Sequence, residues 1–423
     1  MKRAVLLGLV MAGTLAGSSV FPQAPLSSNA NPIAARGAYL VTLGDCMPCH
    51  TAAAQEQFAG ARALNTPFGV VYSANITPER ETGIGNWTSD QFYRALHEGI
   101  RADGAHLYPA LPYPYFTRMS RADSDALYAY LMTLKPVHKV TPSNKLPFPF
   151  NVRALIGVWN AMNFKEGEFQ QDATKSAEWN RGAYIVTGPG HCGGCHTPKN
   201  FLGGDETSRA LGGGLLDTWF AANLTQDPRS GIEKWTSDDI VEYLRNGRNA
   251  RATASGSMQE VVVYSTSHMS DSDLAAIAVY LKDQAGRGED RDQPGPQAVA
   301  MRAGEAIFVD VCTACHRSEG KGVPRFFPPL QGDTTVQSRD PTTIIRIVLE
   351  GSQSPPTDGR PTPLSMPAFG WKLNDQQIAD VLTYIRNSWG NRAAAVEKSA
   401  VVKLRRETGI GASLTSALAL PIP

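Results

Sequence analysis

The sequence predicts an all-α chain of three tandem domains with long loops, the first two closely related. Three observations predict it. The pentapeptide Cys-x-x-Cys-His occurs at 46–50, 192–196 and 312–316, and its copies use all six cysteines. Each copy follows a short apolar-periodic stretch with a glycine near its start, and an amphipathic stretch rich in aromatics follows later. The length, 423 residues, suggests about three domains at ~100–150 residues each. Gly 39 and Pro 29 are high for a helical protein and point to irregular loops between short helices.

The pentapeptide carries the chemistry. Cys46 and Cys49, Cys192 and Cys195, and Cys312 and Cys315 each lie one helical turn apart, where two thiols can form thioethers with the vinyl groups of a haem. The adjacent His50, His196 and His316 then serve as axial iron ligands. A tetrahedral zinc site needs four N/S ligands, and no second Cys-x-x-Cys or His-x₃-His stands near any copy. A disulfide framework would spread its cysteines along the chain, and a thioredoxin-type dithiol would sit in a βαβ pattern that is not visible. Three covalently bound haem c groups are therefore expected.

Charged residues are 19% and the net charge is +1, which points to protein, lipid or quinone partners and not to nucleic acid. Residues 1–30 read as a signal peptide. Lys2 and Arg3 precede an apolar run, no charge follows until Arg36, and Ser28-Asn29-Ala30 suits cleavage. Glycines interrupt the run before it reaches the ~20 residues of a membrane span. The expected location is periplasmic, on the outer face of the inner membrane.

Domain 1 is expected at 33–140, a linker at 141–175, domain 2 at 176–286, a second linker at 287–298, domain 3 at 299–391 and a tail at 392–423. Arg36-Gly37-Ala38-Tyr39, Arg181-Gly182-Ala183-Tyr184 and Gly304-Glu305-Ala306 open the domains. In each, the glycine lets the first helix approach the last. Ala74-Asn75-Ile76-Thr77 lies twelve residues before Asn86-Trp87-Thr88-Ser89-Asp90, and Ala222-Asn223-Leu224-Thr225 lies twelve before Lys234-Trp235-Thr236-Ser237-Asp238. This is internal duplication, absent from domain 3. Ser or Asp of these segments is the expected helix cap, and Trp87 and Trp235 are expected to pack. The apolar first linker is expected to lie against neighbouring surfaces and the charged second one to be a hinge. The stretch 392–406 reads as a short basic helix, and the apolar end 411–420 as interfacial or disordered.

The sixth iron ligand decides between electron transfer and small-molecule binding, and methionine sulfur raises the potential. Met366 lies eight residues before the expected helix cap Asn374, where a loop can fold over a haem face. Domain 1 has Leu111 at the comparable place, which leaves Met119. Met119 and Met269 each lie eleven residues before the closing-helix tyrosines Tyr130 and Tyr280, so the duplication pairs them. Met258 and His268 are rivals for the second haem. His97, His106, His138 and His191 show no repeated position and read as surface or supporting residues.

Taken together, the three haem motifs, the paired Asn-Ile/Leu-Thr to Trp-Thr-Ser-Asp blocks, Ser176-Ala177-Glu178-Trp179-Asn180-Arg181-Gly182-Ala183-Tyr184 and Arg386-Asn387-Ser388-Trp389-Gly390-Asn391 resemble the tri-haem cytochrome c subunit of bacterial membrane-bound dehydrogenases. The resemblance covers roughly residues 33 to 406. It implies three class I cytochrome c domains that take electrons from a catalytic dehydrogenase subunit of PQQ, flavin or molybdenum type. They pass them to ubiquinone or a terminal oxidase at the membrane surface. Leu111 departs from the pattern, since many relatives carry methionine there. The chain shows no Rossmann fingerprint or hydrolase elbow, so substrate oxidation is expected elsewhere. The alternatives are a haem enzyme of peroxidase or thiosulfate oxidoreductase type with one open iron, or a soluble cytochrome donating to an oxidase.

Overall fold

The computed structural model describes residues 31–216, 218–286 and 295–409. The expected signal segment, most of the second linker and the end of the tail lie outside them. The described chain is mainly helical, with three two-stranded antiparallel hairpins that an all-α reading did not anticipate. They pair Ala63 with Tyr72, Gly214 with Ala221 and Ser352 with Met366 at their open ends.

Three units recur, each built on an opening helix crossed against a closing helix. Pro32–Leu43 packs on Arg121–Leu131, Ala177–Thr187 on Asp271–Lys282, and Ala298–Val311 on Asp375–Arg386. Glycine makes the crossing possible. A Cβ on Gly37 would stand 1.9 Å from the Ala126 carbonyl oxygen, one on Gly182 1.9 Å from that of Ala276, and one on Gly304 2.2 Å from that of Asp380. No side chain fits there, so the backbones touch. Separate apolar cores surround the crossings, with Leu40, Phe92 and Leu127 in unit 1, Ile185, Leu274 and Ile277 in unit 2, and Phe308, Ile345 and Ile378 in unit 3.

Helix starts follow side-chain capping. Ser120, Ser176 and Ser270 each accept a backbone N–H three residues on. The Trp-Thr-Ser-Asp segments do cap helices, but through threonine. Thr88 and Thr236 form reciprocal boxes with Gln91 and Asp239, and the expected Ser and Asp already lie inside the first turn. The threonine wins because its partner three residues on can reach back to its own N–H. Trp87 and Trp235 pack against the first two cores. The basic helix spans Lys398–Thr408, starting later than the expected Arg392. It buries Val401 and Leu404 on unit 3, and Arg405 donates to the Gly370 and Leu373 carbonyls and to Asp375.

Units 1 and 2 meet through a reciprocal exchange. Tyr39 donates to Asp273 at 2.7 Å, and Tyr184 donates to Asp123. Arg36 Nε reaches Asp123 at 2.6 Å within unit 1, and Arg181 holds Asp273 through two bonds of 2.7 Å within unit 2. Each carboxylate therefore takes an arginine from its own unit and a tyrosine from the sister. Leu43 of unit 1 is part of the unit 2 core. Unit 3 carries Ala303, Ala306 and Gln377 at the three matching positions and cannot join such a pair. It docks on unit 2 differently. Thr343 Oγ1 accepts from the Phe220 N–H at 2.8 Å, Arg346 stacks on Trp219, and Glu242 accepts from Arg325 and Arg360.

Candidate haem centres

The three pentapeptides take one conformation. In each, the histidine N–H donates to the carbonyl of the first cysteine at 3.0 Å, closing a single turn that brings both thiols to one side. Asp45 and His191, which precede the first two copies, have positive φ values of 50° and 38° and turn the chain sharply into that helix. All six thiols are unpaired. Burial pushes Cys46, Cys49 and Cys192 up to about 12 and Cys312 up to about 11, and it also raises Cys195. These are neutral thiols, the reverse of the depressed values that make a reactive dithiol.

The three histidines share one tether. His50 Nδ1 lies 2.7 Å from the Ala74 carbonyl, His196 Nδ1 2.6 Å from that of Ala222, and His316 Nδ1 3.0 Å from that of Pro328. A carbonyl only accepts, so each Nδ1 carries the proton and each Nε2 keeps its lone pair. Burial lowers the proton affinity of all three rings, against the pull of the carbonyls, and favours their neutral form.

Sequence reasoning saw the duplicated Ala-Asn-Ile/Leu-Thr blocks but not what they do. Asn75 Oδ1 accepts from the N–H and hydroxyl of Thr77 at 2.9 and 2.8 Å, and Asn223 does the same for Thr225 at 2.8 and 2.7 Å. Both asparagines are buried. They lock the loop whose preceding carbonyl orients the histidine. The signal was the repeat itself, aligned on residues one step after the acceptor. Unit 3 substitutes the rigid Pro328 for this device, which is why its sequence lacks the block.

A cleft of about 2310 Å³ opens beside the first two pentapeptides, lined by Cys46, Cys49, His50, Leu111, Met119 and Cys195 among others. Its size and apolar walls suit a large planar group beside His50. Tyr115 of unit 1 covers the second pentapeptide. A Cβ on Gly193 would come within 2.8 Å of its hydroxyl, and that hydroxyl donates to Asp205, which also takes Lys199. The two glycines between Cys192 and Cys195 leave room for this ring.

Met119 and Met269 hold matching places, each directly before the serine cap of a closing helix and each buried. Met119 borders the cleft with His50. Met269 lies in the unit 2 core. Met366 sits in the short strand of unit 3 and packs with Cys312 on that core. Met258 is half-buried on the helix Ser257–Tyr264, which touches the Cys46–Cys49 turn. His268 is exposed with Nε2 3.0 Å from the Val263 carbonyl. Of the histidines read as surface or supporting, His138 is exposed, but His97 is buried and stacked on Tyr93, and His191 reaches across to the Gly44 carbonyl at 3.3 Å.

A family model described as Cytochrome c matches residues 301–389, the body of unit 3. Over 414 residues the chain is 38% identical to the alcohol dehydrogenase (quinone) cytochrome c subunit of Gluconacetobacter polyoxogenes, covering 93% of this chain and 88% of the relative. The chain belongs to the cytochrome c subunits of membrane-bound dehydrogenases. Likewise, this cytochrome c subunit is 38% identical over 428 residues to the fructose dehydrogenase cytochrome subunit of Gluconobacter japonicus, with coverages of 94% and 87%. It is 39% identical over 398 residues to the gluconate 2-dehydrogenase cytochrome c subunit of Pantoea cypripedii, with coverages of 89% and 90%. As a cytochrome c subunit it carries covalently bound haem c. The unpaired thiols and the Nδ1-tethered imidazoles fit that group.

Proposed function

We propose that the chain is a three-haem electron relay, exported to the periplasm through residues 1–30 and working at the outer face of the inner membrane. It takes electrons from a catalytic dehydrogenase subunit of PQQ, flavin or molybdenum type and passes them to ubiquinone or a terminal oxidase. Residues 33–140, 176–286 and 299–391 form its three class I cytochrome c domains. Each haem, when bound, supplies a one-electron iron centre. Cys46 and Cys49, Cys192 and Cys195, and Cys312 and Cys315 hold the groups covalently, and His50, His196 and His316 ligate from Nε2. Met119, Met269 and Met366 would supply the second iron ligand in each unit, with Met258 the rival in unit 2. Unit 2 touches both of its neighbours, which supports reading it as the middle station.

The observation that carries this reading is the threefold recurrence of an imidazole fixed by a main-chain carbonyl beside two unpaired thiols. Mass spectrometry and pyridine-haemochrome absorbance of the exported protein test it. Three haems per chain are expected, falling to two in Cys192→Ala/Cys195→Ala, and a wild-type chain with fewer than three rejects the relay. The haem-enzyme reading has one observation in its favour, Leu111 on the cleft wall. Carbon monoxide bound tightly by one reduced haem supports the enzyme, and indifference to it supports the relay.

A further inference from the structure

The second attachment turn carries a cover that its own unit does not supply. Gly193 is buried and Gly194 half-buried, whereas the matching Thr313 and Ala314 of unit 3 are half-buried and exposed. The third turn still closes the same helical bond, from the His316 N–H to the Cys312 carbonyl at 3.0 Å, so the turn needs no cover to form. Unit 1 supplies the cover from the short aromatic helix Tyr113–Phe116 and from Gly44 at the end of its first helix. Phe116 meets the His191 ring edge-on with centroids 5.7 Å apart, and His191 Nε2 lies 3.3 Å from the Gly44 carbonyl. Tyr115 lies over the turn itself. A Cβ on Gly193 would stand 2.8 Å from its hydroxyl and 2.9 Å from its ring, so glycine at that position is a condition for the contact.

The same ring arranges charge beside the turn. Its hydroxyl donates to Asp205 of unit 2, which also takes the ammonium of Lys199. Burial and the Asp205 carboxylate push the Tyr115 phenol up, so it stays a neutral donor. Lys199 Nζ lies 3.4 Å from the Gly193 carbonyl and 6.0 Å from the centre of the Tyr115 ring. A β-bridge between Lys199 and Asp205 fixes both on one small loop. Both side chains are half-buried, where Coulomb forces exceed their strength in water. Charge, hydrogen bonding and solvent access around a haem set its reduction potential. At the second attachment turn all three depend on Tyr115.

We propose that Tyr115 is a positioning residue for electron transfer between units 1 and 2. From unit 1 it keeps water off the second attachment turn and holds Asp205 against Lys199, and so raises the potential of the haem that Cys192 and Cys195 bind. The proposal rests on the reading of unit 2 as a haem-bearing station of the relay. It goes beyond that reading by naming the residue of one unit that sets the midpoint of the next.

Spectroelectrochemical titration of the haem-loaded, full-length mature protein tests it, with the unit 2 midpoint identified as the one missing from Cys192→Ala/Cys195→Ala. Tyr115→Ala admits water to the turn and is expected to lower that midpoint, because the ferric state carries the extra positive charge that water stabilises. Tyr115→Phe keeps the ring and brings the midpoint most of the way back. Asp205→Asn removes the negative charge, leaves Lys199 in place and moves the same midpoint upward. The unit 3 midpoint stays in all these variants, and pyridine-haemochrome absorbance shows that each remains fully loaded. A unit 2 midpoint unmoved in both Tyr115→Ala and Asp205→Asn overturns the proposal even where the melting temperature falls, since packing alone would then account for the ring. So does a shift confined to the unit 1 midpoint, which would make Tyr115 only a wall of the cleft it shares with His50. A wild-type chain with fewer than three haems sinks the relay reading instead, whereas three haems with an unmoved unit 2 midpoint sink only this proposal.

Discussion

A histidine ligand is only as good as the group behind it. Three side chains far apart in sequence have the same tether, an Nδ1 bonded to a main-chain carbonyl, and two of these carbonyls are positioned by a buried asparagine. Asn223→Ala removes the acceptor of both Thr225 donors and leaves them inside the protein. A loss of about 1–3 kcal/mol in denaturant unfolding is expected. On the proposed three-haem relay the same change frees the Ala222 carbonyl to drift, so the midpoint potential of the unit 2 haem is expected to shift while the other two stay. A stability loss with all three potentials unmoved would reduce Asn223 to a loop anchor. The histidine next to each cysteine pair was legible in the sequence because the pentapeptide is local. Its carbonyl partner was not, because Ala74, Ala222 and Pro328 differ in side chain and act through their backbones.

Each unit stands on one helix crossing, and each crossing stands on one glycine. The sequence placed Gly37, Gly182 and Gly304 near the start of their helices, and periodicity alone gave the reason for their size. Gly182→Ala pushes a methyl into the Ala276 carbonyl, which neither helix can avoid without separating. Overpacking of this kind is expected to cost about 2–3 kcal/mol. Thermal and denaturant melts of the haem-loaded protein measure it, with Ala183→Gly as a comparison for helix propensity alone. Wild-type stability in Gly182→Ala would mean that the crossing has slack. Capping was read less well. Sequence favoured Ser or Asp of the Trp-Thr-Ser-Asp segments, but the choice of Thr88 and Thr236 depends on where the chain enters the helix, a backbone angle that composition does not reveal.

At the scale of the whole molecule, the sister units are joined by two crossed Tyr–Asp contacts and unit 3 is attached by other means. Burial pushes the Asp273 carboxyl up, but hydrogen bonds from Arg181 and Tyr39 outweigh it and leave it below the ordinary carboxylate range. A depressed acid stabilises the fold fully above its unfolded value, near ~3.9, and loses that contribution as pH falls through the lower folded value. The contribution of Asp273 to the junction of units 1 and 2 is therefore expected to be constant from about pH 5 to neutrality and to be lost below about 4. Asp273→Asn lowers neutral-pH stability and flattens this acid limb. Melting curves collected across that range check it, and an acid limb identical in both proteins would place the titrating group elsewhere.

What the sequence determined by itself is local chemistry: three pairs of thiols each followed by an imidazole, the duplication of the first two units, and the glycines at which helices cross. These are read within a turn or two of backbone, where spacing fixes geometry. Tertiary structure decided the rest. It set which carbonyl holds each histidine, which aspartate meets which tyrosine, and that the basic helix is folded onto unit 3. Such pairings join residues up to hundreds of positions apart, and their energies exist only once the chain has closed the distance between them.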